Sequence, residues 1–234
     1  MARGLSITEP SSGTALIIGV GDGLSASLAR LLSREGYELV LAARDTGKLA
    51  DLAKETKADP RRCDASDPGD VAALFEAAGP LEVMIYNPSY RVRGALIELD
   101  PAEVRRSLEI TAFGAFLAGQ QAARAMLGRG RGTILFTGAS AGVKGYPRSA
   151  PFAMGKFALR GLAQSMAREL HPQGIHVGHV VIDGGIRSER RPDPDGRDTM
   201  LDPDSIAKSY LHLIRQPRDA WTWEIEVRPW VETF

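Results

Sequence analysis

Thr14-Ala15-Leu16-Ile17-Ile18 is an unbroken apolar run that ends in Gly19-Val20-Gly21-Asp22-Gly23-Leu24-Ser25, after which Leu24, Leu28, Leu31 and Leu32 recur at helical spacing. No other stretch restricts the fold as much. An apolar run without polar alternation suits a strand buried on both faces, as in a parallel sheet covered by helices. A glycine-rich turn between such a strand and a helix lets backbone amides approach the pyrophosphate of a dinucleotide at the helix N-terminus. Glycine-rich turns also serve as plain connections, so the flanking strand and helix carry the weight of this reading.

The alternation continues to the end of the chain. Residues 37–43, 57–63, 81–86, 132–137, 176–182 and 221–227 read as further strands, with Pro60 interrupting the third. Between them lie helical patterns at 46–56, 101–127 and 150–171, and others beginning at Asp67-Pro68 and Asp202-Pro203. Asp67-Pro68, Asp100-Pro101 and Asp202-Pro203 each mark a helix start, since Pro suits the first helical turn. The expected inward faces are Leu49, Leu52 and Ala53; Val71, Leu74 and Phe75; and Ile206, Tyr210, Leu213 and Ile214. The fold class expected is α/β: one Rossmann-type, doubly wound parallel sheet of about seven strands, helices on both faces, filling residues 1–234 as a single domain.

Composition removes several function classes. Lys plus Arg and Asp plus Glu both number 29, so no bulk charge draws the chain to nucleic acid or an anionic membrane. A single cysteine, Cys63, excludes an intrachain disulfide and fits a reducing compartment. With no apolar leader in residues 1–13 and no apolar run of membrane-spanning length, a soluble cytoplasmic protein is expected. His176 and His179, three apart in a strand, face opposite sides and do not make a metal pair.

Arg44 stands just past the second strand, where a doubly wound sheet meets the adenosine ribose. An arginine there can neutralise a 2′-phosphate, which favours NADP(H) over NAD(H). Asp45 and Asp22 argue the other way, and Arg44 can also be read as a solvated loop cation. Asp64, after the third strand, reads as a turn or capping residue.

Pro151-Phe152-Ala153-Met154-Gly155-Lys156-Phe157-Ala158-Leu159 follows a strand and the Gly-rich turn Gly138 to Gly145, and Phe152 and Lys156 share one helix face. Together with the glycine loop, this stretch resembles the short-chain dehydrogenase/reductase family, and the resemblance spans nearly the whole chain. The family carries Tyr-x-x-x-Lys here, the Tyr exchanging a proton and the Lys gripping the nicotinamide ribose. This chain keeps Lys156 and has Phe152 at the Tyr position. The family's Ser position falls on Ala139, with Ser140 next to it, and its Asn position falls on Thr111. Of the glycine motif Gly-x-x-x-Gly-x-Gly, Gly19 and Gly23 match, and Ser25 replaces the third glycine.

The resemblance implies a cofactor site of Gly19, Gly21, Asp22, Gly23, Leu24, Arg44, Asp64, Asn87, Lys156, Gly184, Ile186 and Ser188, which sets a place beside the adenine for Asp64 against its turn or capping reading. It also implies a substrate lid over residues 188–204, a stretch whose composition reads as a solvated loop. Asp183 replaces a Pro of the family pattern. A homodimer or homotetramer is expected on the two long helices; the small residues Ala112, Gly114, Ala115, Ala118 and Gly119 would pack against the sheet or a partner's helix. The tail 228–234, with Trp230 and Phe234, is expected to dock on its own domain or a neighbouring subunit.

Three readings of function stay open at this level. One is an NAD(P)-dependent oxidoreductase of unknown small-molecule substrate whose proton comes from another group, with Tyr146 and Tyr90 as candidates. Another is a dinucleotide-binding sensor or assembly subunit without redox chemistry. The third is a lyase or isomerase using the same pocket, with Asp183 as base. Arg91 and Arg93 near the pocket mouth hint at an acidic substrate.

Overall fold

The structure, a computed structural model, describes residues 13–188, 191–194 and 196–232. Seven strands form one sheet: β1 (Thr14–Ile18), β2 (Glu38–Ala43), β3 (Asp59–Arg62), β4 (Leu81–Tyr86), β5 (Gly132–Thr137), β6 (Ile175–Ile182) and β7 (Glu224–Val227). All pair in parallel, in the order β3-β2-β1-β4-β5-β6-β7. From β1 the chain runs outward to β3, then crosses to β4 on the other side. The crevice beyond the C-terminal ends of β1 and β4 is therefore the switch point where doubly wound sheets bind ligands. Pro60 fits because β3 is an edge strand, and an edge tolerates a missing N–H.

The helices are α1 (Leu24–Arg34), α2 (Ala50–Thr56), α3 (Pro68–Ala78), α4 (Pro101–Leu108), α5 (Gly114–Leu127), α6 (Ala150–Leu170) and α7 (Pro203–Ile214). Strand side chains alternate between two cores. Leu16, Met84, Ile134 and Val177 pack toward α3, α5 and α6, while Ile17, Val83, Leu135 and Val180 pack toward α1 and α7. The inward faces expected for α2, α3 and α7 are the buried ones, with Ile214 only partly covered. Asp67, Asp100 and Asp202 each accept a backbone N–H at their helix start, at 2.7, 2.9 and 2.9 Å.

Local patterning misjudged some boundaries. Residues 101–127 are not one regular helix, since Glu109–Phe113 form a π turn between α4 and α5. The helical pattern at 46–56 opens with a 3-10 turn, and α6 ends at Leu170 rather than at residue 171. β7 starts at Glu224, because Trp221 leaves the sheet to stack on the His176 ring at 4.9 Å. Gly114, Ala115, Ala118 and Gly119 face the protein's own sheet, and Phe113, Phe116, Met154 and Phe157 occupy the outer surface. Among the described tail residues only Pro229 is buried, and Trp230 is 79% exposed; Phe234 lies outside the described residues.

His176 and His179 do face opposite sides, and both are buried packing residues. His179 Nδ1 bonds Glu224 at 3.0 Å, and Glu224 also receives a bidentate pair from Arg160, both bonds at 2.7 Å. Burial pushes the His179 pKa down to about 4 despite that carboxylate. The unfolded chain takes up this proton below about pH 6.5, the fold only near pH 4. Stability therefore falls as pH drops through that window, by up to roughly 3 kcal/mol from this residue. His176, also pushed down by burial, acts in the same direction. Urea midpoints measured from pH 7 to 4 should fall, and His179→Gln should flatten the slope; an unchanged slope would refute the assignment.

Candidate functional site

The C-terminal ends of β1, β2, β4, β5 and β6 bring Gly19, Arg44, Asn87, Gly138 and Asp183 to one rim of the sheet. Two clefts open there, of about 740 and 640 Å³, joined at Asn87 and Ser89.

The first cleft is walled by Gly19, Gly21, Asp22, Arg44, Asp64 and Asn87, among others. Gly19 holds φ at +79°, and a Cβ there would stand 2.7 Å from Pro88, so only glycine fits. Ser25, at the family's third glycine position, is buried and donates to the Gly19 carbonyl at 3.1 Å. Asn87 Nδ2 donates to both Ser25 Oγ (2.7 Å) and Gly19 O (3.2 Å). Ser25 and Asn87 thus brace the loop from beneath, a pairing between distant residues that no local motif announces. No side chain caps α1, whose N-cap is Gly23, and a Cβ on Gly21 or Gly23 would meet nothing within 4 Å. An open backbone before an uncapped helix suits a phosphate.

Arg44 is exposed on this wall. Asp45 is turned away into its own chain, accepting from Gly47 N at 3.1 Å and pairing with Lys48 at 3.6 Å. Asp64 fits its reading as a turn or capping residue. It walls the cleft and accepts from Ser66 N and Oγ at 3.0 and 2.6 Å, bonds that hold its carboxyl below the usual range. Gly23 and Leu24 do not wall the cleft; the Leu24 side chain is buried in the α1–α7 core.

The second cleft contains Phe152 and Lys156. Lys156 is 2% exposed and donates to the Thr137 carbonyl at 2.6 Å. Burial, and then the charge of Arg91, push its pKa down to about 7. The Phe152 ring lies 5.9 Å from the Lys156 Nζ, with the Arg91 guanidinium 4.3 Å from the ring centroid. Gly155 brings α6 tightly against the π turn, since a Cβ there would be 3.0 Å from Thr111 Cβ. Thr111 itself is buried outside both clefts, its hydroxyl accepting from Tyr90 N at 3.2 Å. It holds no position from which to order water beside Lys156.

Ala139 and Ser140 form part of the same wall, as do Gly184 and Ile186. Ser188 does not; its backbone pairs both ways with Arg191 at 3.0 Å. The two tyrosine candidates separate. Tyr90 lies in the first cleft with its hydroxyl committed to Glu103 at 2.6 Å, a bond that raises its pKa. Tyr146 lines the second cleft with Phe152 and Lys156, and is 40% exposed. Lys144 Nζ sits 5.7 Å from the Tyr146 ring centroid, its pKa raised first by its bond to that side chain and further by the charge of Asp183. Asp183 is buried between Lys144 (3.6 Å) and Arg228 (3.8 Å).

The residues fit a nicotinamide dinucleotide. The open glycine loop would take its pyrophosphate, and the two joined clefts offer one groove from Arg44 to Lys156. Among the described residues no cluster of His, Cys, Asp and Glu could hold a metal, and no helix is long and apolar enough to cross a membrane.

Residues 13–193 match the family described as short chain dehydrogenase. An uncharacterized oxidoreductase of Staphylococcus aureus is 25% identical over 225 residues, covering 92% of this chain and 96% of the relative. A crystal structure of a short-chain dehydrogenase from Rhodopseudomonas palustris is 36% identical with a TM-score of 0.83, covering 94% of this chain and 99% of that one. A metagenomic short-chain oxidoreductase solved in complex with NADP is 27% identical with a TM-score of 0.83, covering 96% of this chain and 100% of that one. With fold, cofactor groove and residue matches in agreement, this chain belongs to the short chain dehydrogenase family.

Proposed function

We propose that this chain is an NADP(H)-dependent oxidoreductase interconverting a small carbonyl compound and its alcohol, with Tyr146 handling the proton that Phe152 cannot. The observation that carries the reading is the placement of Tyr146. It is the one tyrosine among the described residues lining the second cleft, and it stands beside the Lys144 ammonium. The Lys144 ammonium beside the ring would face the charge left on Tyr146 when it hands over its proton.

Bound along the groove, the nicotinamide would supply or accept the hydride. In reduction, Tyr146 Oη donates its proton to the oxygen that gains charge as hydride reaches the carbonyl carbon. The Tyr146 phenolate, held beside Lys144, regains a proton from water, to which it is already exposed. An exposed donor needs no internal water relay, which accords with Thr111 being sealed away from the cleft. Lys156 keeps one hydrogen bond to Thr137 O and has its remaining N–H groups for the ribose hydroxyls.

A second reading rests on Lys156. With a pKa near 7, its ammonium is itself a competent proton donor at neutral pH. The lyase or isomerase reading loses ground, because the Asp183 carboxylate is buried and already engaged by Lys144 and Arg228.

The preference for NADP(H) rests on Arg44, exposed at the groove end while Asp45 is occupied elsewhere. Calorimetric titration should give NADPH an affinity about 10-fold above that of NADH, the modest worth of one exposed charge-assisted contact. Arg44→Asp should remove or invert the difference. Binding of neither dinucleotide would sink the cofactor assignment, and a native preference for NADH would move it to the acids of the loop.

A further inference from the structure

Three arginines line the second cleft: Arg91 and Arg93 on the segment after β4, and Arg191 on the segment after β6. They come from two separate segments of the chain and share the cleft with Phe152 and Lys156. Among the described residues none of the three has a carboxylate within ion-pair distance. Asp183, the buried acid of the cleft, is already engaged by Lys144 and Arg228. Among the described residues, Glu232 alone adds further negative charge to the lining.

Two of the three have a defined seat. Arg91 lies over the Phe152 ring, its guanidinium 4.3 Å from the centroid. A phenyl face supports the guanidinium plane while taking none of its N–H groups. Arg191 packs against Gly185, where an added Cβ would stand 3.4 Å from its Nη1. The like charges feel one another, since burial first and then Arg93 and Arg191 push the Arg91 pKa down. Three guanidiniums lining one cleft carry a repulsive cost, which an anion between them would offset.

We propose that the substrate of this site carries an anionic group, a carboxylate or a phosphate ester, bound by Arg91, Arg93 and Arg191 in the cleft they share with Phe152. The proposal rests on the oxidoreductase reading for the word substrate. Its geometry is that of the cleft alone. Replacement of the family's Tyr by Phe152 then has a second consequence: the ring becomes a platform for Arg91.

The test pairs 4-carboxybenzaldehyde with its methyl ester, which differ in one negative charge. With NADPH, kcat/KM should favour the carboxylate by about 10–100-fold, the worth of one or two charge-assisted hydrogen bonds. Raising the salt concentration should erode that preference. In Arg91→Ala/Arg93→Ala, and separately in Arg191→Gln, the ratio should fall toward one. Calorimetry with terephthalate, which needs no turnover, should show binding to the wild type that these variants lose. Terephthalate binding without turnover of either aldehyde would uphold the anion site and overturn the oxidoreductase reading. Turnover of both aldehydes with a ratio near one would do the reverse. If the variants lose NADPH affinity as much as they lose terephthalate, the arginines serve the cofactor's phosphates and the proposal fails.

Discussion

Tyr146→Phe is expected to lower kcat for carbonyl reduction by about 10²–10⁴-fold, the contribution of one positioned general acid. In barrier terms this is about 2.7–5.4 kcal/mol. The substitution removes one oxygen from a side chain that is 40% exposed, so the fold should be unaffected. Dinucleotide affinity should change little, because Tyr146 does not wall the first cleft, where the glycine loop lies. Single-turnover oxidation of bound NADPH separates the chemical step from binding and release. Tyr90→Phe is the control, since that hydroxyl is spent on Glu103. If Tyr146→Phe keeps the wild-type rate, Tyr146 is not the donor and Lys156 becomes the residue to test. Restoring the family's pair with Phe152→Tyr and Ala139→Ser should then raise the rate, because both positions wall the cleft beside Lys156.

Lys156→Met is expected to separate function from stability. Loss of the ammonium should weaken dinucleotide binding by about 10–100-fold, as charged hydrogen bonds to the ribose disappear. Stability moves the other way at low pH. In the fold this amine titrates at about 7, against 10.5 when free, so the unfolded chain holds the proton more tightly between those values. Stability therefore rises with pH across that window, and below pH 7 the buried lysine costs the native state roughly 4–5 kcal/mol. The methionine removes that cost but leaves the Thr137 carbonyl without its donor, a loss of about 1–3 kcal/mol. At pH 6 the variant should unfold at higher urea than the wild type; above pH 10.5 the order should reverse. A variant less stable at both ends would mean that Lys156 is charged and well solvated in the native protein. A lysine that lowers stability where it is placed is the pattern expected of a residue kept for binding or catalysis.

Much of this architecture is legible in short segments. The seven strands, the Asp-Pro helix starts and the glycine loop each follow from a few consecutive residues, because backbone propensity, capping and side-chain periodicity act over one or two turns. The helix 101–127 was misread at Glu109–Phe113 because its apolar spacing stays helical while one extra residue enters the turn. Ser25 in the glycine motif reads as a defect until Asn87, 62 residues away, is seen to hold its hydroxyl. Asp183 likewise reads as a lone acid before Lys144 and Arg228 are placed around it.

By itself the amino-acid sequence determined the doubly wound sheet, the crevice beyond its switch point, and which residues, Thr111, Ala139, Phe152 and Lys156, stand along the elements around it. These are matters of order and spacing, which the chain carries in one dimension. Only the tertiary structure decided which way the side chains turn. It sent the Tyr90 hydroxyl to Glu103 and left Tyr146 beside Lys144 in the cleft. It buried Lys156 until its pKa fell to about 7, and it brought Arg91, Arg93 and Arg191 into one cleft with Phe152. Desolvation and charge proximity depend on distances in space between residues that are remote along the chain, and no local pattern encodes them.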